Sequence, residues 1–194
     1  MQQTSARPLR LPCLALIALL VAAFGFVVPI RVSVEEASLA CLDLSAPALG
    51  TNNGTGAPSL SYDVSLGVAL RKPNWAMRAW RTGPLDLELR FHGILFARAR
   101  LAGAERDQIR PRRREVYRAA AAAEGAPVAL GSGGAAEFAR ERAAGVFDLE
   151  LVVHGEARYE AHSHRRGFTA TCPLKLSLST STAPAAFARV KCTS

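Results

Sequence analysis

The sequence predicts a mainly β protein: an antiparallel β-sandwich of immunoglobulin or fibronectin-III type with one short helix, preceded by a single N-terminal transmembrane helix. Three observations predict it. Residues 11–30, LPCLALIALLVAAFGFVVPI, carry no charged side chain, and at a helical rise of 1.5 Å about twenty residues span the roughly 30 Å hydrocarbon layer of a bilayer. Beyond that run, several segments alternate apolar and polar residues with a period of two, the pattern of a strand with one face in a core and the other in water. Turn-forming Gly, Pro, Asn and Ser punctuate those segments. The chain of 194 residues therefore divides into a short tail (1–10), an apolar span (11–30) and one domain of ordinary size (31–194).

The apolar run is fenced by Arg7 and Arg10 before it and Arg31 after it. A helix satisfies its own backbone groups, so lipid is its natural solvent. Pro12 falls in the first turn, where a missing N–H does no harm, and Pro29 would end or kink the helix at the interface. A cleaved signal peptide is the competing interpretation, with Val21-Ala22-Ala23 as its small-residue cleavage site. The run continues past Ala23, longer than a signal core needs. A buried core helix is the third interpretation, but a helix apolar all round finds too little to hide behind in so small a protein. Arg7 and Arg10, in a tail without acidic residues, favour a cytosolic N-terminus and an exported remainder.

Val32 to Leu44 alternates as a first strand, with a break near Glu35-Glu36. A loop rich in Pro, Gly and Asn follows. Asn53-Gly54 suits a tight turn, and Asn53-Gly54-Thr55 is an N-glycosylation sequon, so Asn53 carries a glycan if this side is lumenal. The clearest strand comes next. Leu60, Tyr62, Val64, Leu66, Val68 and Leu70 share one parity, and Pro73 ends the run. Leu85, Leu87, Leu89 and Phe91 repeat the pattern, His92-Gly93 punctuates, and residues 94–101 supply the partner strand. Residues 106–124 are ambiguous: their alanines favour helix, whereas their place between strands favours sheet, and topology decides for a strand. Gly131-Ser132-Gly133-Gly134 is expected to be a flexible joint, with a short amphipathic helix over 135–144. Two further strands follow, with Phe147, Leu149, Leu151, Val153, Ala157 and Tyr159 facing inward on one. On the other the inward set is Phe168, Ala170, Cys172, Leu174, Leu176 and Leu178.

The net charge is +8, and almost every basic residue is Arg. That balance permits acidic partners without requiring them. The densest basic run is Arg110, Arg112, Arg113, Arg114 and Arg118. Acidic polysaccharide or anionic headgroups are its candidate ligands, against the plainer interpretation of a solvated edge that resists aggregation. Nucleic acid is not an expected partner, since no stacking aromatics alternate with these arginines. Cys13 lies in the apolar run, which leaves Cys41, Cys172 and Cys192 for an oxidising compartment. One pair plus one buried thiol is the economical arrangement.

With a basic tail, a span and alternating strands in place, particular words bring out a likeness. Residues 60–70 run into Lys72-Pro73-Asn74, Leu89 to Gly93 forms an aromatic-x-Gly hairpin with Phe91 in the aromatic place, and two late cysteines, Cys172 and Cys192, close the chain. In this layout it resembles the plant NHL family, named for non-race-specific disease resistance and harpin-induced proteins. The exported part of that family is a late embryogenesis abundant domain of the second subgroup. The family's signature is Asn-Pro-Asn, so Lys72 is a departure, and the family's Pro-Pro-Phe-x-Gln stretch is not recognisable in residues 104–114. The resemblance implies a plasma-membrane protein of defence or stress responses, single-pass, with an extracellular domain that acts by binding rather than catalysis. It also implies a Cys172–Cys192 disulfide, with Cys41 left as a small buried apolar residue. The implied partners are the bilayer through residues 11–30 and membrane proteins or acidic cell-wall polysaccharide.

Chemistry of other kinds has little to stand on. His154, Glu156, Glu160, His162 and His164 share one strand parity, and His-x-His can hold zinc or copper, but this is the solvent-facing parity beside a turn. No Gly-x-Ser-x-Gly elbow is present, and Gly131 to Gly134 lacks the Lys-Ser/Thr of a phosphate loop. Trp75 and Trp80, beside Met77, either line a binding edge near Asn74 or close one end of the domain. The sequence calls for no cofactor and no catalytic residue. A lipid-binding or stress-protectant sandwich is the alternative function, and a secreted hydrolase the least favoured.

Overall fold

The computed structural model describes residues 29–45, 58–73, 78–160, 164–179 and 187–193. Most of the apolar run (11–28), Cys13, Asn53 with its sequon, Asn74, Trp75, Met77 and His162 lie outside the described residues. Among the described residues, no helix is long and apolar enough to cross a membrane.

The described chain is mainly β, in two antiparallel sheets with one helix. The first sheet has the order β10-β1-β2-β7, from Val190–Lys191, Arg31–Ser45, Ser59–Arg71 and Arg114–Pro127. The second is organised on β8 (Val146–Tyr159). One flank of β8 pairs along its length with β9 (Arg165–Ser177). The other flank pairs in succession with β4 (Leu85–Phe91) and β3 (Ala79–Arg81). β5 (Ile94–Ala102) and β6 (Asp107–Ile109) lie outside β4 and β3. The inward residues of both sheets form one core that includes Val34, Leu39, Val68, Leu87, Leu149, Leu151 and Leu174.

Alternation places these side chains. On β2, Leu60, Val64, Leu66, Val68 and Leu70 are buried, as their shared parity requires. β4 alternates buried and half-buried residues throughout. His92 and Gly93 turn back into β5 with φ of 47° and 81°, the two positive values a type I′ hairpin demands.

β1 keeps the same rule with two interruptions. Its pairing with β2 shifts between Val34 and Glu36 and again between Leu39 and Cys41. Each bulge adds one unpaired residue and reverses which parity faces the core. The inward residues are therefore Val32 and Val34, then Ala37 and Leu39, then Leu42. This overturns the expectation for Cys41. The second bulge turns its side chain outward, so it is an exposed free thiol rather than a buried apolar filler.

The alanine-rich segment forms β7, pairing with β2 along its length. Alanine's helix preference amounts to a few tenths of a kcal/mol over most residues, about what one ladder bond and its packing outweigh. The glycine run is not a flexible joint. It forms the first turn of α1 (Gly131–Ala144), whose end is capped by Gly145 in the left-handed conformation, φ 71°. α1 presents Phe138 to the end of the core, with ring centroids 5.7 Å from Phe91 and 5.4 Å from Phe147. Burying one such side chain stabilises by about 1.5–3 kcal/mol. Leu178, expected to face inward, is exposed just past the end of β9.

Cys172 on β9 and Cys192 beside β10 form the disulfide. β10 pairs with β1 of the first sheet, whereas β9 belongs to the second. The bond therefore ties the two sheets together along one edge. Hydrogen bonds between Thr171 and Thr193, 2.8 Å in both directions, continue the seam.

Candidate functional site

The two ends of the domain differ in character. At one end α1 and the β4–β5 hairpin close over an aromatic cluster. The apolar gap there, lined by Leu42, Leu60, Phe91, Phe96, Leu130 and Phe138, has no room even for a water-sized molecule and is therefore packing rather than a ligand pocket. At the other end β1 starts, β2 stops and β7 starts. The pairing places Arg31 opposite Arg71 and Arg71 opposite Arg114, one rung of arginines across three neighbouring strands.

The turn from β6 into β7 adds Arg110, Arg112 and Arg113, all exposed. It is held by a hydrogen bond from the Arg112 N–H to the Lys72 carbonyl, 3.1 Å, and Arg112 itself has φ 60°. The second sheet reaches the same end, where Arg158 pairs with Arg165 and Ala157 with Arg166. Arg110, Arg112, Arg113 and Arg114 thus lie along one turn and the strand it opens, and Arg31 and Arg71, from strands distant in sequence, share a rung with Arg114. Arg118 does not. It lies opposite Gly67 on the sheet and donates two hydrogen bonds to Glu36, at 3.2 and 3.0 Å. That pairing holds the Glu36 carboxyl below its usual range.

Beneath this surface lie two buried cations. Lys72, standing where the resembled family has its first signature Asn, is completely buried, and its Nζ has no hydrogen-bond partner among the described residues. Loss of hydration pulls its pKa down, partly opposed by the charge of Glu160. Arg81 is buried on β3 and donates through one terminal nitrogen to the Gly83 carbonyl, 2.6 Å, and to the Gly103 carbonyl. Its guanidinium carbon lies 5.8 Å from the centre of the Tyr117 ring. Tyr117 donates its hydroxyl to Asp107, 2.8 Å, and burial together with that carboxylate pushes its pKa up to about 12. Trp80 is half-buried, with the Arg106 guanidinium 4.9 Å above its ring.

The histidine-bearing parity of β8 is dispersed. His154 bonds Thr169 at 3.2 Å and lies 3.9 Å from Glu88. Glu156 instead accepts from Thr82, 3.1 Å, and faces Arg165 at 3.5 Å. Among the described residues a different group comes together: His92, Glu137 and Glu141 have ligand atoms within 4.8 Å of one another. Within it, His92 Nε2 lies 2.8 Å from Glu141, whose other oxygen accepts the Asp148 N–H at 2.9 Å. These bonds pin the hairpin to α1. Sequence reasoning missed the group because its members come from two elements about fifty positions apart, although Glu137 and Glu141 at i and i+4 mark one helix face.

The comparisons with known proteins add little. No family profile matches the sequence, and no curated protein is significantly similar to it. Among solved structures, a crystal structure of a protein from Archaeoglobus fulgidus is similar over 73% of this chain and 99% of its own, at 8% identity. The TM-score of that match is 0.32, too low to carry an argument about fold or function.

Proposed function

We propose that this chain is a single-pass membrane protein whose exported domain, an immunoglobulin-like β-sandwich, works by binding in plant defence or stress responses. The N-terminus lies in the cytosol, residues 11–30 cross the plasma membrane, and residues 31–194 are extracellular. The observation that carries this reading is the junction. Residue 30 closes the apolar run and is itself buried in the core of the two-sheet domain, with β1 beginning one residue later. A span built from the apolar run therefore ends just short of Ile30, which packs in the domain core instead of in lipid, and it delivers the chain into the fold with almost no linker. The Cys172–Cys192 disulfide supports export, because such bonds persist in oxidising compartments. The layout shared with the plant NHL family supports the biological setting and binding as the mode of action.

Expression of the full chain in plant cells tests the reading. Membrane association resistant to alkaline carbonate is expected, together with protection of residues 31–194 from protease in sealed microsomes and a glycan on Asn53. Release of the full-length chain by carbonate, or digestion of the domain in intact microsomes, would overturn it.

A further inference from the structure

We infer that the arginine-bearing end of the domain is a docking face for anionic phospholipid headgroups, lying flat on the bilayer that holds residues 11–30. The inference rests on the membrane-anchor reading above and names the partner of its basic surface. Two observations on the fold carry it.

The first is the distribution of ion pairs. Away from this end, arginines have carboxylate partners: Arg98 with Glu88, Arg100 with Asp86, Arg118 with Glu36 and Arg142 with Asp43. At this end, Arg31, Arg71, Arg110, Arg112 and Arg113 form no ion pair among the described residues. Glu115, beside Arg114 and opposite Leu70, forms no ion pair among the described residues, whereas three other carboxylates of this end have partners of their own. Glu35 is held by Arg189 at 3.0 Å and lies 3.8 Å from Arg114, Asp107 accepts from Tyr117, and Glu160 accepts the Arg78 N–H at 3.4 Å. Unneutralised guanidinium groups gathered on one end form an anion-binding surface, and their planar forks match phosphate oxygens.

The second observation is position. Arg31 is the first residue after the apolar run and stands in the same rung as Arg71 and Arg114. Neighbouring strands are about 4.8 Å apart, so the rung spans roughly 10 Å. A span that ends just before Ile30 holds this rung within about one Debye length, roughly 8 Å at physiological salt, of the headgroup layer. Attraction to anionic lipid acts over that range. A cell-wall polymer would have to reach the same face through the gap between domain and bilayer, and for that reason lipid is the better-matched partner.

The test uses the full chain reconstituted into phosphatidylcholine vesicles with and without phosphatidylglycerol. Flotation after carbonate washing reports the anchor, and amide hydrogen exchange reports the docking. Exchange over residues 110–114 is expected to slow severalfold when phosphatidylglycerol is present, and to recover in high salt, with α1 unaffected in both. The triple variant Arg110→Gln/Arg112→Gln/Arg113→Gln should lose the lipid-dependent slowing, whereas the corresponding Lys variant should keep most of it. Flotation with identical exchange in the two lipids would overturn the docking face and leave the anchor intact. Failure to float would overturn both. Slowing by soluble polygalacturonate but not by phosphatidylglycerol would overturn lipid as the partner.

Discussion

Reducing the Cys172–Cys192 bond, without any substitution, isolates what the cross-link does. Its loop has a sequence separation of 20, for which the chain-entropy relation gives about 3 kcal/mol at 25 °C. For a domain of this size, about 2–4 °C of melting temperature accompanies each kcal/mol, so the loss should be roughly 6–12 °C. The structure also says where the effect begins. Among the described residues, β10 holds to β1 through the pairs Ser33 with Lys191 and Val34 with Val190, and the Cys192 N–H donates to the Val32 carbonyl at 3.1 Å. Without the bond, residues 187–193 should exchange their amides early, while β8 and β4 stay protected. Urea unfolding of the full chain in mild detergent, oxidised against reduced, followed by far-ultraviolet circular dichroism, measures the magnitude. The double variant Cys172→Ala/Cys192→Ala should reproduce the loss, with an added penalty because Cys172 is completely buried. A difference below about 1 kcal/mol between oxidised and reduced protein would refute the argument that loop closure and sheet tethering stabilise the fold.

Further predictions concern four single positions. Lys72→Met keeps the apolar stem and removes a buried ammonium that has no hydrogen-bond partner among the described residues. It should raise stability by about 1–3 kcal/mol in the same urea assay, and a loss would mean the ammonium is paired after all. The pKa of Lys72 is lowered in the folded state, so the unfolded chain binds the proton more tightly and stability should rise with pH toward the ordinary lysine range. That rise should vanish in Lys72→Met. Tyr117 has the opposite sign. Its pKa is raised to about 12, so its contribution is full below the unfolded value of about 10 and disappears as pH climbs between the two. Tyr117→Phe should flatten that alkaline decline, as read by melting temperature across the pH series. Glycines differ by site: a Cβ on Gly155 would meet Phe168 at 2.4 Å and Leu85 at 2.9 Å, whereas one on Gly133 would meet nothing within 4 Å. Gly155→Ala should therefore destabilise by about 1–3 kcal/mol. Gly133→Ala, inside α1, should stabilise by about 0.5–1 kcal/mol.

Much of the strand content was legible because side chains alternate across a strand regardless of what the strand pairs with. β2, β4, β8 and most of β9 carry their inward residues in plain order, and the hairpin at His92-Gly93 needs only the tolerance of positive φ. The helix over 131–144 was visible in its second half, though its glycine start reads as a joint because glycine is a poor helix former. β7 was recognisable only from its place between strands, since alanine prefers helix and its strand state depends on pairing with β2.

The residues 29–193 themselves determined a mainly β domain with one helix, because alternation and turn chemistry are local properties of the chain. Tertiary structure alone decided the reversals of parity in β1, and with them the exposure of Cys41, because a bulge is a relation between two strands. It likewise decided which arginines share a surface. Arg31, Arg71 and Arg114 are far apart in sequence yet form one rung, while Arg118, only four residues from Arg114, leaves the cluster for Glu36. Register brings charges together at the end of a sheet, and register depends on how whole strands pack, which no short window of sequence contains.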